Sequence, residues 1–268
     1  MTIDSITRII ENHGESWEIG GIKIHPLLFQ DDIFAVNKTE HMQRMIKNIE
    51  VGQNLKRLQF HEEKTKKSII NGKIDKPLFI NGIKIERAKS HKYLGKIIEE
   101  KGKIKEEIIE RLEKARTAAI QTMVVIYQKE LSHKRIEVGI LLLQTVIIPI
   151  LTSGAETWTK LSEKEKEETN QVQTQFLTKL LGVAGTTPRC ALLHETGLIK
   201  IEHIANQRKL EYYIELHNRE EECLEVKIRK YQEEERMTYE IEIEELIKFY
   251  NIEENIKEIG KYEGKKYS

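Results

Sequence analysis

Two spacings divide the chain at Gly102. Before it, apolar residues come in short runs. Ile3, Ile6, Ile9 and Ile10 fall at helical spacing and end near Gly14, so the chain opens on what reads as the last turns of a helix. Gly20-Gly21 then breaks the chain. Ile22-Lys23-Ile24 alternates, and Leu27-Leu28-Phe29 and Ile33-Phe34-Ala35-Val36 have the length of strands. This predicts a hairpin with Asp31-Asp32 at its tip and Leu27, Leu28, Ile33 and Phe34 among its anchors. Thr39 has the chemistry of an N-cap for a helix over Glu40 to Leu58, with Met42, Met45, Ile46 and Ile49 on one face. Asn81-Gly82, set between Leu78-Phe79-Ile80 and Ile83-Lys84-Ile85, is the strongest hairpin signal, because both residues tolerate the positive φ of a type I′ turn. His91 to Ile98 predicts another short strand pair.

After Gly102 the period changes. Ile104, Ile108, Ile109, Leu112, Ala115, Ala119, Met123 and Ile126 step by threes and fours, the mark of a long amphipathic helix. Further helices are predicted over Lys134 to Leu151, Ser162 to Leu181 and Ile201 to Asn218, with two more in the tail. The pattern predicts an α+β fold, a small antiparallel region with strands between about residues 22 and 100 followed by helix and loop alone. It divides as 1–102, 103–200 and 201–268.

Charge adds a second division. The 44 Lys+Arg balance 44 Asp+Glu overall, yet His41 to Ile120 holds 20 basic against 11 acidic residues, a net of +9. Glu215 to Glu258 holds 7 against 15, a net of −8. The basic stretch is either the footprint of a polyanion or a solvated lysine-rich face. The acidic tail points to solvent or to a basic partner. Ile140 to Leu151, the best apolar stretch, carries Gln144 and Pro149 and falls short of the ~20 residues of a membrane span, so no membrane partner is expected. The first residues are mixed and polar, unlike a signal peptide, and two cysteines, Cys190 and Cys223, exclude a disulfide framework and point to a reducing, intracellular setting.

Adjacent aspartates at a hairpin tip are either a solvated turn or ligands for Mg²⁺, a hard cation that takes oxygen donors. Walker, Gly-x-Ser-x-Gly and His-Glu-x-x-His signatures are absent from the sequence, and lone histidines such as His133 and His203 read as packing or surface residues. The string Gly20-Gly21-Ile22-Lys23-Ile24-His25-Pro26-Leu27-Leu28-Phe29-Gln30-Asp31-Asp32-Ile33 resembles the metal-binding hairpin of reverse transcriptases of non-LTR (LINE-like) retrotransposons, with Gln30 where that family has Ala. Some 30 residues on, Lys64-Thr65-Lys66 is similar to its palm lysine motif. His91-Lys92-Tyr93-Leu94-Gly95 is similar to its primer grip. Pro149 to Trp158 resembles a Tyr-Gly-x-Glu-x-Trp segment found beyond the thumb, with Ser153 where Tyr is usual. The four stand in the family's order and span most of residues 1–200.

The resemblance implies a partial palm over 1–102, a thumb-like helical region over 103–200 and an acidic helical tail. It implies RNA-directed DNA polymerase ancestry, with RNA template and DNA primer as partners. Asp31 and Asp32 would hold Mg²⁺ and Lys64 would donate a proton to the leaving pyrophosphate. Tyr93, Leu94 and Gly95 would hold the primer end, and Lys66, Lys67, Lys92 and Lys96 would contact nucleic acid. In the family, the fingers, another metal-binding aspartate and the nucleotide-binding motif precede the Gly-Gly segment. The expectation is therefore a truncated reverse transcriptase that does not polymerise alone, with an incomplete Mg²⁺ site. A non-enzymatic nucleic-acid-binding module and a helical interaction protein are the alternatives, and Glu156 and Trp158 read as a core anchor.

Overall fold

The structure, a computed structural model, describes residues 16–30, 32–56, 61, 64–70, 72, 75–128 and 133–252. The opening helix expected over Ile3 to Gly14 and the end of the one expected to reach Leu58 lie outside the described residues. The chain is α+β and divides into two compact units, Met1–Lys103 and Ile104–Ser268.

The first unit is built from tight hairpins. β1 (Trp17–Ile19) pairs antiparallel with β2 (Ile22–Ile24), β3 (Leu27–Phe29) with β4 (Asp32–Phe34), β6 (Phe79–Ile80) with β7 (Ile83–Lys84), and β9 (Ser90–Tyr93) with β10 (Lys96–Glu99). Each closes through two residues. Gly20 and Gly21 (φ 56° and 75°), Asn81 and Gly82 (50° and 80°), and Leu94 and Gly95 (47° and 80°) have the paired positive φ of a type I′ turn, whose twist matches the flanking strands. Two expectations are corrected here. Strands begin at Trp17, not Ile22, because Gly20-Gly21 turns a hairpin where it was read as a break. The region is also not wholly antiparallel. β5 (Lys66–Lys67) runs parallel to β8 (Glu86–Arg87), since the intervening chain folds its own β6–β7 hairpin and so returns β8 in the direction of β5.

Helix α1 (Thr39–Lys56) is the shared support. The Lys38 carbonyl accepts the Met42 N–H at 3.1 Å, so Lys38, and not Thr39, holds the cap position. Met45 and Ile49 on α1 bury against Leu28, Ile33 and Ala35, while Ile46 buries against Leu78, Ile80 and Ile85. Gln43 clamps Phe79, its side chain donating to the Phe79 carbonyl and accepting from the Phe79 N–H, both at 2.8 Å. Leu27 is not an anchor. Strand alternation sets Leu28 inward and leaves Leu27 and Phe29 45% and 51% exposed.

The second unit holds α2 (Lys105–Ile126), α3 (Arg135–Leu142), α4 (Ile148–Leu151), α5 (Glu163–Leu181), α6 (Arg189–Thr196), α7 (Ile201–Asn218), α8 (Leu224–Glu234) and α9 (Thr238–Tyr250). Among the described residues no strand follows Gly102. A π-helical segment, Leu143–Ile147, joins α3 to α4 just before Pro149, whose missing N–H and bulky ring cannot continue an α-helical ladder. Ser162 and Glu165 form a reciprocal capping box at the start of α5, and Gly182 (φ 68°) ends it. The core runs through Ile108, Leu112, Ile147, Leu151, Phe176, Leu180 and Ile201. Trp158 joins it at 2% exposure. The segment Arg135–Thr157 is long and apolar enough to cross a membrane by length and composition, and Leu143, Ile147, Ile148 and Leu151 within it are buried in this core.

Candidate nucleic-acid interface

The aspartate hairpin owes its position to α1. Leu28 and Ile33 face each other across β3 and β4 and pack on Met45 and Ile49, which leaves the opposite face and the tip outward. Asp32 pairs with Phe29 as the first residue of β4 and is exposed. Gln30, with φ 51°, carries the left-handed backbone that a two-residue turn needs at its first position. Asp31 lies outside the described residues.

Phe34, at the far end of β4, meets Tyr93 with ring centroids 4.9 Å apart and planes tilted by 32°. Burial, and then the Asp32 carboxylate, hold the Tyr93 hydroxyl above the ordinary tyrosine range. The aspartate hairpin and the β9–β10 hairpin therefore lie side by side. Leu94 and Gly95 form the turn of that second hairpin, and Leu94 is 51% exposed despite being apolar.

The lysines divide by what they touch. Lys64 is exposed just before β5, its backbone N–H bonded to the His61 carbonyl at 3.1 Å. Lys66 and Lys67, expected on nucleic acid, have acidic partners within the unit. Lys66 pairs with Glu86 across the parallel β5–β8 pair, and Lys67 reaches both the Asp75 carboxylate and the Lys76 carbonyl. Arg87 forks onto Glu100 at 2.8 and 3.0 Å and lies 3.4 Å from Asp75. Glu100 also accepts the Ile69 N–H at 3.2 Å. This network fastens β5 and β8 to the β9–β10 hairpin, and its ion pairs hold the Asp75 and Glu100 carboxyls below the usual carboxylate range. Lys92 is exposed on β9 and Lys96 is half-buried on β10. Lys84 and Lys89, which the motif reading passed over, are exposed as well.

Two features were missed from the sequence. The Phe34–Tyr93 contact joins residues far apart in the chain, so no local pattern carries it. His91 is half-buried, and burial lowers its imidazole below the ordinary range against an opposing bond to the Lys67 backbone. Its place inside a predicted strand was the available signal.

The donor set decides what the hairpin can do with Mg²⁺. That ion is commonly held by one or two carboxylates and keeps water or substrate phosphate in its other positions. Asp32, with Asp31 beside it in sequence, meets that minimum for one ion. A two-ion centre needs carboxylates that bridge, and among the described residues no three His, Cys, Asp or Glu side chains are grouped so as to hold a metal. Comparison of the chain with family models, with curated proteins and with solved structures finds no match in any of the three.

Proposed function

We propose that the chain derives from the reverse transcriptase of a non-LTR retrotransposon, and that its first unit holds the primer end of a template–primer duplex without extending it alone. The observation that carries this reading is the Phe34–Tyr93 contact, with Asp32 close enough for its charge to act on the Tyr93 hydroxyl. Nucleotidyl transfer requires the metal-holding carboxylates to lie beside the primer terminus. A hairpin that grips the primer must therefore sit against the hairpin that carries the aspartates. Asp31 and Asp32 would hold one Mg²⁺, which supplies charge neutralisation at phosphate. Lys64, Lys84 and Lys89 would meet the phosphate backbone from their exposed positions, and Lys92 on the strength of the resemblance, while Lys66 and Lys67 serve the unit's internal ion pairs.

The test is fluorescence anisotropy of the full chain with a labelled RNA-template/DNA-primer duplex. Four phosphate contacts release enough counterions to weaken binding roughly 100-fold between about 50 and 200 mM salt. Binding at low salt with that dependence supports the reading. Affinity indifferent to salt, or no binding at low salt, refutes it.

A further inference from the structure

The C-terminal helix α9 is fastened to the second unit largely through polar groups. Tyr239 donates its hydroxyl to the Glu156 carbonyl at 3.1 Å, Lys160 pairs with Glu245 at 2.7 Å, and the Tyr250 hydroxyl lies 2.8 Å from His203 Nδ1 on α7. Ile243 is buried on α9, and so are two carboxylates, Glu240 and Glu242. Glu242 is well provided for, since it accepts from Lys209 Nζ at 2.9 Å and from the Lys160 backbone N–H. Beneath the helix lies a cavity of about 90 Å³, lined by Trp158, Leu161, Ala205, Asn206, Glu242 and Leu246 among others.

Glu240 is placed differently. It is 5% exposed, and its Oε1 has no hydrogen-bond partner. Arg229 and Glu233 face it from α8, Tyr213 from α7, and Glu244 and Tyr239 adjoin it on α9. Arg229 is itself 7% exposed, gives its Nη1 to Glu233 at 2.9 Å and leaves its Nε unpaired. One guanidinium is thus shared between buried Glu240 and the more exposed Glu233, and an ionised Glu240 has no hydrogen bond at Oε1 to offset its burial. The N-terminal end of α9 favours an ionised first-turn carboxylate only weakly, whereas burial of a charge without full hydrogen bonding is costly. Desolvation wins, and the Glu240 carboxyl is raised to about 7.

We propose that α9 is a proton-controlled strap, closed over the Trp158 cleft while Glu240 carries its proton and loosened when Glu240 ionises. The sign follows from linkage. A carboxyl raised in the docked state contributes its full stability below the ordinary glutamate value and loses it as pH rises through about 7. Between about pH 5.5 and 8.5 the docking equilibrium shifts roughly 30-fold.

Hydrogen exchange on the full chain reads this directly. After correction for intrinsic rates, α9 amides should lose roughly 30-fold in protection across that pH range while α5 amides hold within about threefold. Glu240→Gln should remove the α9 response. The proposal is overturned if α9 protection is flat, if α5 falls with it, or if Glu240→Gln responds as the parent does. Should Glu240→Gln not fold, Glu240→Met carries the same comparison, and the α9-against-α5 contrast in the parent stands without either variant.

Discussion

Gly139 is buried on α3 against α5, and a methyl group placed on it would stand 2.3 and 2.7 Å from the two δ-carbons of Leu180. In an exposed helix the change Gly139→Ala would stabilise by about 1 kcal/mol, through lower backbone entropy in the unfolded chain. Here the methyl has no room. Leu180 is 0% exposed and cannot swing into solvent, so the core must shift around it. Overpacking of this kind costs typically ~1–3 kcal/mol, and the net expectation is a loss of up to about 2 kcal/mol. Leu180→Ala alone should cost ~2–5 kcal/mol through the vacated space. In that background the obstructing carbons are gone, and Gly139→Ala should stabilise by about 1 kcal/mol. The sign reverses, giving a coupling of roughly 1–3 kcal/mol in a double-mutant cycle. Urea unfolding of the four proteins, followed by helical circular dichroism, measures it. Stabilisation of the parent by Gly139→Ala, or additivity in the double variant, would falsify the packing described between α3 and α5.

Three further outcomes follow. Leu94 is half-exposed and holds φ 47°, a left-handed backbone that costs a leucine about 1 kcal/mol, so Leu94→Asn should raise the unfolding midpoint of the first unit by an amount worth about 0.5–1 kcal/mol. Burial lowers the His91 imidazole below its ordinary value, so the unfolded chain takes up the proton more readily. Stability of the first unit is then complete above the unfolded value and is lost as pH falls below it, and thermal melts of His91→Gln should show a weaker acid dependence than the parent. If Asp31 and Asp32 hold a single Mg²⁺, as proposed, primer extension on an RNA template with Mg²⁺ or Mn²⁺ should add no nucleotides, since a two-ion transfer would lack its second ion. Extension by the parent that is lost in Asp31→Ala would show a working polymerase instead.

Periodicity carried the helical unit well. The threes and fours from Ile104 to Ile126 became α2, and Ile201 to Asn218 became α7 with the bounds expected. Ser162 began α5 as a cap because its hydroxyl and Glu165 satisfy each other's backbone donors. The π segment was not legible as such, although Pro149 marked where the ladder had to change. In the first unit the type I′ turn at Asn81-Gly82 was legible from residue type, while the same turn at Leu94-Gly95 carries a leucine that propensity argues against. Short two-residue strands such as Lys66–Lys67 and Glu86–Arg87 have no period to read, and the ion pair across their parallel pairing, Lys66–Glu86, joins residues 20 apart. Of the candidate site, the aspartate hairpin and the β9–β10 hairpin were visible in sequence. Their contact through Phe34 and Tyr93 was not, nor was the internal use of Lys66 and Lys67.

The proposed function requires those two hairpins to act together at a primer end. The direct measurement is the dissociation constant of the full chain, at fixed low salt, for an RNA template with a recessed DNA primer and for a blunt duplex of equal length. Binding to the recessed end should be tighter by roughly tenfold, about 1.4 kcal/mol, with the preference erased in Tyr93→Ala while blunt-duplex affinity is unchanged. Equal affinity for the two duplexes, or a preference that survives Tyr93→Ala, contradicts the proposed function.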